Sequence, residues 1–344
     1  MQKYVLYFEL NNEANNAGPK ACADALKIAL ENGYEGVKLY TSKKARPTVL
    51  NLAVGYLKTL SFARKLQEGD VVFIQYPMTR VLLKRIYKIL AKRKVKIVTL
   101  IHDIDYLRNV SLGEEGVQGM KALELSLFSY STVLIAHNEK MIAKLQEENL
   151  PCKYVSLDIF DYLYTGKNAT VSEGKEVIIA GNLLKKKAGY LYQFNEKTHT
   201  FPVALYGSNL ESGMEYPLAD YRGSFPPEAL IEQLKGGYGL VWDGPETTTC
   251  AGDYGQYLRI NNPHKASLYI AAGLPLIVWK ESALCPFIEN AGVGFGVSSL
   301  DDLQEALLAN EKNYEKYLHN ANELQQQLRS GAFLKRALEK AERL

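Results

Sequence analysis

The segment Asn261-Asn262-Pro263-His264-Lys265-Ala266-Ser267-Leu268-Tyr269-Ile270-Ala271-Ala272-Gly273-Leu274-Pro275 reads as a capped helix with charge at its start. Asn262 suits an N-cap and Pro263 the first helical position, while Gly273 suits the left-handed C-terminal position and Pro275 stops continuation. Such a start offers unpaired backbone N–H groups beside His264 and Lys265. Backbone donors at a helix N-terminus with an adjacent cation bind a diphosphate. The alternative is a structural helix with a surface lysine.

Other positions follow apolar runs and carry residue types that a nucleotide-linked substrate needs. In Gly181-Asn182-Leu183-Leu184-Lys185, Gly and Asn allow close backbone approach and Lys185 can meet phosphate; a plain turn is the other reading. Tyr206-Gly207-Ser208 ends another run. Tyr206 can stack on a base, hydrogen-bond a nucleotide or be a core-edge aromatic, and Gly207 leaves room. Glu281 and Glu289 are spaced so that one carboxylate faces a transferred sugar and the other a ribose, unless both are surface acids. Ile101-His102-Asp103-Ile104-Asp105 supplies a base: Asp103, or His102 beside it, can take a proton from an acceptor hydroxyl. Asp103 reads equally well as a helix cap. Asp103-x-Asp105 as a metal pair is the third reading, and two carboxylates are few for a hard cation. Gln75-Tyr76-Pro77 can line the acceptor side.

These residues sit at the ends of short β-rich runs. The apolar pattern predicts strands at 4–8, 36–40, 70–75, 96–101 and 132–136, alternating with helices at 21–31, 49–66, 79–93 and 139–148. A second series has strands at 176–180, 203–206, 239–242 and 276–279, with helices at 227–234, 263–272 and 300–308. Strands alternating with helices imply parallel sheets built of βαβ units, and ligands bind beyond the carboxyl ends of such strands. At 344 residues the chain fits two domains. We place a Rossmann-like acceptor-side domain at 1–160, a polar linker at 161–175 and a Rossmann-like nucleotide-sugar domain at 176–310. A Glu/Gln/Lys/Leu/Ala-rich helix at 311–344, broken near Gly331, follows.

Composition removes several function classes. The loop at 11–20 lacks Gly-x-Gly-x-x-Gly, against a conventional dinucleotide site, and Gly-x-Ser-x-Gly and Walker patterns are missing. The five histidines show no zinc-ligand spacing. Four widely spaced cysteines without a Cys-x-x-Cys pair, and no signal-peptide pattern, point to reduced thiols and a cytoplasmic location. The net charge of +3 is unevenly spread: residues 1–170 carry 24 Lys/Arg against 17 Asp/Glu, so the basic surplus lies in the first half. Residues 79–96 hold eight Lys/Arg and no acid, with apolar residues at helical spacing. That helix suits anionic lipid headgroups, and so peripheral contact with the inner face of the plasma membrane, or is a solvated face. Without interleaved stacking aromatics it does not suit nucleic acid.

Together these residues resemble the bacterial GT-B glycosyltransferases that include galactofuranosyltransferases and the second glucosyltransferase acting on serine-rich adhesins. The resemblance runs over nearly the whole chain. Its most specific stretches are Gly239-Leu240-Val241-Trp242-Asp243-Gly244, Tyr257-Leu258-Arg259-Ile260-Asn261-Asn262-Pro263-His264-Lys265, Gly273-Leu274-Pro275-Leu276-Ile277-Val278-Trp279 and Ile101-His102-Asp103. It implies an α/β GT-B fold, two Rossmann-like domains facing across a cleft, with a UDP-sugar held mainly by the second. Asn261, Asn262 and Lys265 then lie near the diphosphate, and Tyr206 and Asn182 near the nucleotide. It implies no metal and no further cofactor, a saccharide acceptor that can be lipid-linked, and a C-terminal helix crossing back to the first domain. Galactofuranose is the first donor sugar to test and glucose the second. A UDP-sugar epimerase on the same fold and a non-catalytic partner subunit are the competing readings.

Overall fold

The computed structural model describes residues 1–10, 17–42, 47–77, 80–108, 113–167, 176–195 and 199–344. The loop read at 11–20 and the linker read at 161–175 therefore lie partly outside the described residues.

The chain forms two compact units. The first contains Cys22–Leu157 with the N-terminal strand and Phe333–Leu344, and the second contains Asp158–Ala332 together with the residues before Cys22 that open α1. In the first, the elements run β1 (Lys3–Leu10), α1 (Ala17–Glu31), β2 (Glu35–Ser42), α2 (Val49–Ala63), β3 (Val71–Tyr76), α3 (Arg80–Ala91), β4 (Lys96–Ile101), α4 (Asp105–Arg108), α5 (Gly113–Phe128), β5 (Val133–Ala136), α6 (Glu139–Gln146) and β6 (Lys153–Ser156). The strands pair in parallel in the order β2-β1-β3-β4-β5-β6. β3 and β5 are buried along their whole length, as expected of strands covered by helices on both faces. The core joins Val72, Ile74, Leu83, Tyr87, Phe128 and Leu134. Three buried hydroxyls beside it are satisfied in a chain, Tyr87 to Thr99 at 2.7 Å and Thr99 to Ser131 at 2.8 Å.

The second unit runs β7 (Val177–Asn182), α7 (Lys185–Ala188), β8 (Val203–Ser208), β9 (Ala219–Tyr221), α8 (Pro227–Gln233), β10 (Tyr238–Val241), α9 (Gly252–Tyr257), α10 (His264–Ala271), β11 (Leu276–Trp279), α11 (Cys285–Ala291), β12 (Gly294–Val297), α12 (Leu303–Asn310) and α13 (Tyr314–Arg329). Its sheet is also parallel, in the order β12-β11-β10-β7-β8-β9. From the central pair, β7 is followed by strands on one side and β10 by strands on the other. This reversal opens a crevice beyond the carboxyl ends of β7 and β10.

Three features depart from the sequence reading. The first unit ends at Leu157, before the expected boundary at 160, because the following segment belongs to the second: the Tyr162 N–H donates to Leu328 O at 3.2 Å and its ring lies 5.1 Å from that of His264. The 311–344 helix is broken near Gly331 as expected, but its first part does not go to the first unit. α13 stays with the second unit, where Gln325 and Arg329 donate to Ala271 O at 2.9 and 2.8 Å and satisfy the end of α10. Gly331, at φ +76, breaks the helix, and α14 (Ala332–Arg343) packs on the first unit, with Glu342 accepting from Tyr34 Oη at 2.8 Å and Lys3 Nζ at 3.1 Å. Finally, α5 was not expected. Three glycines and a fully buried glutamate, Glu124, disguise its helical period.

Candidate functional site

In the second unit, three loops bring charge to the crevice at β7 and β10. Lys265, in the first turn of α10, donates from Nζ to Trp242 O at 2.7 Å and to Asp243 Oδ1 at 2.8 Å. Lys187, in α7, places its Nζ 4.0 Å from Asp243 Oδ2. Two ammonium groups thus converge on one carboxylate and leave a net positive site. Burial pushes the Lys265 ammonium below the ordinary lysine range, and Asp243 works against that shift. The backbone fixes this cluster: Gly244 N donates to Lys187 O at 2.7 Å, at a φ of +120 where only glycine is unstrained. A Cβ there would stand 2.4 Å from Ala251 O.

The start of α10 is displaced by one residue from the sequence reading. Pro263 occupies the N-cap position with no side-chain cap bond. Asn262 does not cap; its Nδ2 donates to Asp158 O at 2.6 Å. The His264 ring turns to Tyr162 and Phe160, with centroids 5.1 and 6.0 Å away. Asn261 is buried, and its Oδ1 has no hydrogen-bond partner among the described residues. A buried acceptor left unmatched beside a helix start is an unfilled requirement for a donor.

Lys185 is not the lysine that joins the cluster. Its N–H donates to Glu211 Oε1 at 2.9 Å, and its Nζ lies 4.6 Å over the Tyr192 ring. It stands two positions before Lys187, over half a helical turn, so the two ammonium groups leave α7 in different directions. Asn182, exposed at the end of β7, accepts from Leu184 N at 3.1 Å and Asn209 Nδ2 at 3.0 Å, which shapes the turn into α7.

Tyr206 is held inside. It is 2% exposed, its hydroxyl donates to Gln233 O at 3.0 Å, and Arg222 donates to that hydroxyl at 3.2 Å. This leaves neither a face nor a hydroxyl for a base, so the core-edge reading holds. Tyr221 beside it is 46% exposed and donates to Gly207 O at 2.8 Å, which makes it the aromatic available at that turn. Gly207 leaves room for main chain: a Cβ would stand 1.7 Å from Gly181 O, at a φ of +141. Gly181 is the position that faces open space, with no atom within 4 Å of an added Cβ. Gly207→Ala is expected to destabilise the fold by about 3 kcal/mol or more, measurable as a lowered urea midpoint. A midpoint equal to that of the parent would contradict this geometry.

Glu281 and Glu289 have separate tasks. Glu281, after β11, pairs with Arg259 at 2.5 Å, and that guanidinium lies 4.5 Å over the Trp279 ring. Glu289, on α11, accepts from Gly296 N at 3.3 Å and so ties α11 to β12.

In the first unit, His102 and Asp103 follow β4. Gln75 donates from Nε2 to Cys22 O at 3.1 Å, which turns its Oε1 to His102 Nε2 at 2.8 Å. The proton between them therefore belongs to His102 Nε2. The ring keeps some exposed edge, but its surroundings push its pKa down to about 4, so it is neutral and a weak proton acceptor. Asp103 is about one-third exposed and receives Arg108 at 3.1 Å. Glu124, which sequence reasoning missed, fixes this loop. One carboxylate oxygen accepts from Tyr76 Oη at 2.6 Å and Asp105 N at 3.0 Å, and the other from Tyr106 N at 3.0 Å. It thereby caps α4 from α5, a role reached only through tertiary contact.

Family models for the N-terminal and C-terminal domains of glucosyltransferase 3-like proteins match residues 3–159 and 177–341. The β-1,6-galactofuranosyltransferase WbbI of Escherichia coli K12 is 32% identical over 97% of this chain and 97% of its own length. Glucosyltransferase 3 of Streptococcus parasanguinis is 26% identical over 98% and 97%. Among solved structures, sucrose-phosphate synthase from Thermosynechococcus elongatus superposes with a TM-score of 0.67 at 12% identity, over 100% of this chain and 98% of that one. The two parallel-sheet α/β units are those of the GT-B fold.

Proposed function

The chain belongs to the glucosyltransferase 3-like family and is a glycosyltransferase, and we propose that it moves a hexosyl group from a UDP-sugar to a saccharide acceptor in the synthesis of a cell-surface polysaccharide or glycoprotein glycan. The relatives are transferases, so the epimerase and non-catalytic readings fall away. Galactofuranose is the first donor sugar to test, because the relative at 32% identity is a galactofuranosyltransferase, and glucose is the second.

The observation that carries the donor reading is the Lys187–Asp243–Lys265 cluster at the crevice of the second sheet. In transfer, an acceptor oxygen bonds to the anomeric carbon while the bond from that carbon to the diphosphate breaks and UDP leaves with the electron pair. Lys265 and Lys187 stabilise the charge that grows on the diphosphate, and no metal is required. Asn261 and Asn182 contact the nucleotide-sugar, and Glu281 hydrogen-bonds the donor sugar once it exchanges Arg259 for ligand. Asp103 takes the proton of the acceptor hydroxyl; His102, held neutral, orients the loop. No helix among the described residues is long and apolar enough to cross a membrane, and we assign the basic segment 79–96 to peripheral contact with a membrane that presents a lipid-linked acceptor.

Calorimetric titration with UDP, UDP-galactofuranose and UDP-glucose, followed by turnover with and without saccharide acceptors, tests the reading. Sugar transfer with UDP release only when acceptor is present is the expected result. Conversion of a UDP-sugar without acceptor, or no UDP binding, overturns it.

A further inference from the structure

A helix on the surface of a solvated domain turns polar residues outward, and α2 does not. Val49, Leu50, Val54 and Leu57 are 84%, 71%, 37% and 63% exposed, with Ala53 exposed among them. At about 100° per residue these five lie within half the helix circumference, shared with Lys58 and Ser61. The opposite side, with Gly55, Thr59, Phe62 and Ala63, is buried. The helix is firmly begun: Thr48 and Asn51 cap it reciprocally, at 2.9 and 3.2 Å.

α3 lies against α2. Gly55 lets the two helices close, since an added Cβ would stand 2.8 Å from Leu82 Cδ2, and the Arg85 guanidinium sits 5.4 Å over the Tyr56 ring. Lys84, Arg85 and Lys88 are exposed on one face of α3 and Lys92 just past its end, with no carboxylate partner among the described residues. An aliphatic strip and a cationic strip therefore run side by side on the first unit.

We propose that this two-helix surface seats the protein on an anionic bilayer, with α3 at the headgroups and the Val49–Leu50–Val54–Leu57 face of α2 in the acyl boundary. The proposal rests on the lipid-facing reading of 79–96 and adds the element that inserts. Charge selects the occupant. A second copy docking symmetrically through this face would set these cations against their own images. A bilayer with anionic lipid offers opposite charge to α3 and an apolar phase to α2.

Sedimentation of the full chain with vesicles of phosphatidylcholine, alone or with phosphatidylglycerol, is the test. Binding to the anionic vesicles that outlasts added salt is expected. Leu50→Gln with Leu57→Gln lowers the partition coefficient about tenfold or more, and Leu57→Trp gives blue-shifted emission on anionic vesicles alone. Both leucines are exposed, so the circular dichroism of the variants matches that of the parent. Vesicle binding unchanged by the leucine variants but abolished by Lys84→Gln with Lys88→Gln overturns insertion and leaves the basic helix as the contact. No binding to either vesicle at low salt overturns both readings. An oligomer that the leucine variants dissolve, without vesicle binding, gives this face to a second copy and overturns the proposal.

Discussion

Lys265→Ala raises the dissociation constant for UDP by about ten- to a hundredfold and lowers kcat by about 10²–10³, while uridine binds as before. The expectation follows from what the Lys265 ammonium does now. It is 15% exposed and spends its bonds on Trp242 O and Asp243. A diphosphate, with more charge than a carboxylate, competes for the same donors in a setting where water screens poorly. Removing Lys265 also leaves Asp243 with Lys187 alone at 4.0 Å, so a less compensated carboxylate meets the incoming anion. Transition-state charge on the leaving diphosphate exceeds that in the ground state, and turnover therefore falls further than affinity. The contrast between UDP and uridine separates this role from a structural one. If both nucleotides lose affinity equally, or if kinetics stay at parent values, the assignment of Lys265 to the diphosphate is wrong.

Asp103→Asn lowers kcat by about 10²–10⁴ with the UDP dissociation constant unchanged. Asparagine keeps the shape and accepts Arg108, but it does not take a proton. His102 cannot substitute, because its surroundings depress its pKa to about 4 and its Nε2 proton is committed to Gln75. The loop itself persists in the variant, since Glu124 holds Asp105 N and Tyr106 N from α5. Steady-state rates at saturating donor, with calorimetry for UDP, provide the measurement. A kcat within about threefold of the parent would falsify the base assignment and leave Asp103 as a partner of Arg108.

The elements that carry these residues were legible for a physical reason. Strands buried on both faces show as continuous apolar runs, and β3, β4, β8, β10 and β11 each coincide with such a run. The edge strands β6 and β9 are buried at one position or none, and β12 has Gly at two of its four positions, so none of the three shows the continuous apolar run that marks β10 and β11 at the same length. Chemistry-bearing positions followed from the strands, because a parallel sheet presents its strand ends on one edge. The sequence singles out Lys265, Asp103 and Lys185 as candidates, and the structure adds Lys187, two residues after Lys185, as a second lysine beside Asp243.

The sequence by itself determined the two parallel α/β series, the family resemblance and, to within one residue, the start of α10, because these depend on local apolar period, turn residues and short motifs. Only the tertiary structure decided which groups meet. It set Asp243 between two lysines, turned Tyr206 inward to Gln233 and Arg222, filled the space at Gly207 with Gly181 and recruited Glu124 from a helix with no clear period. Each of these rests on contacts between residues 16 to 56 positions apart, whose direction depends on side-chain rotamer and packing against neighbours from other elements, and local sequence pattern carries no term for that.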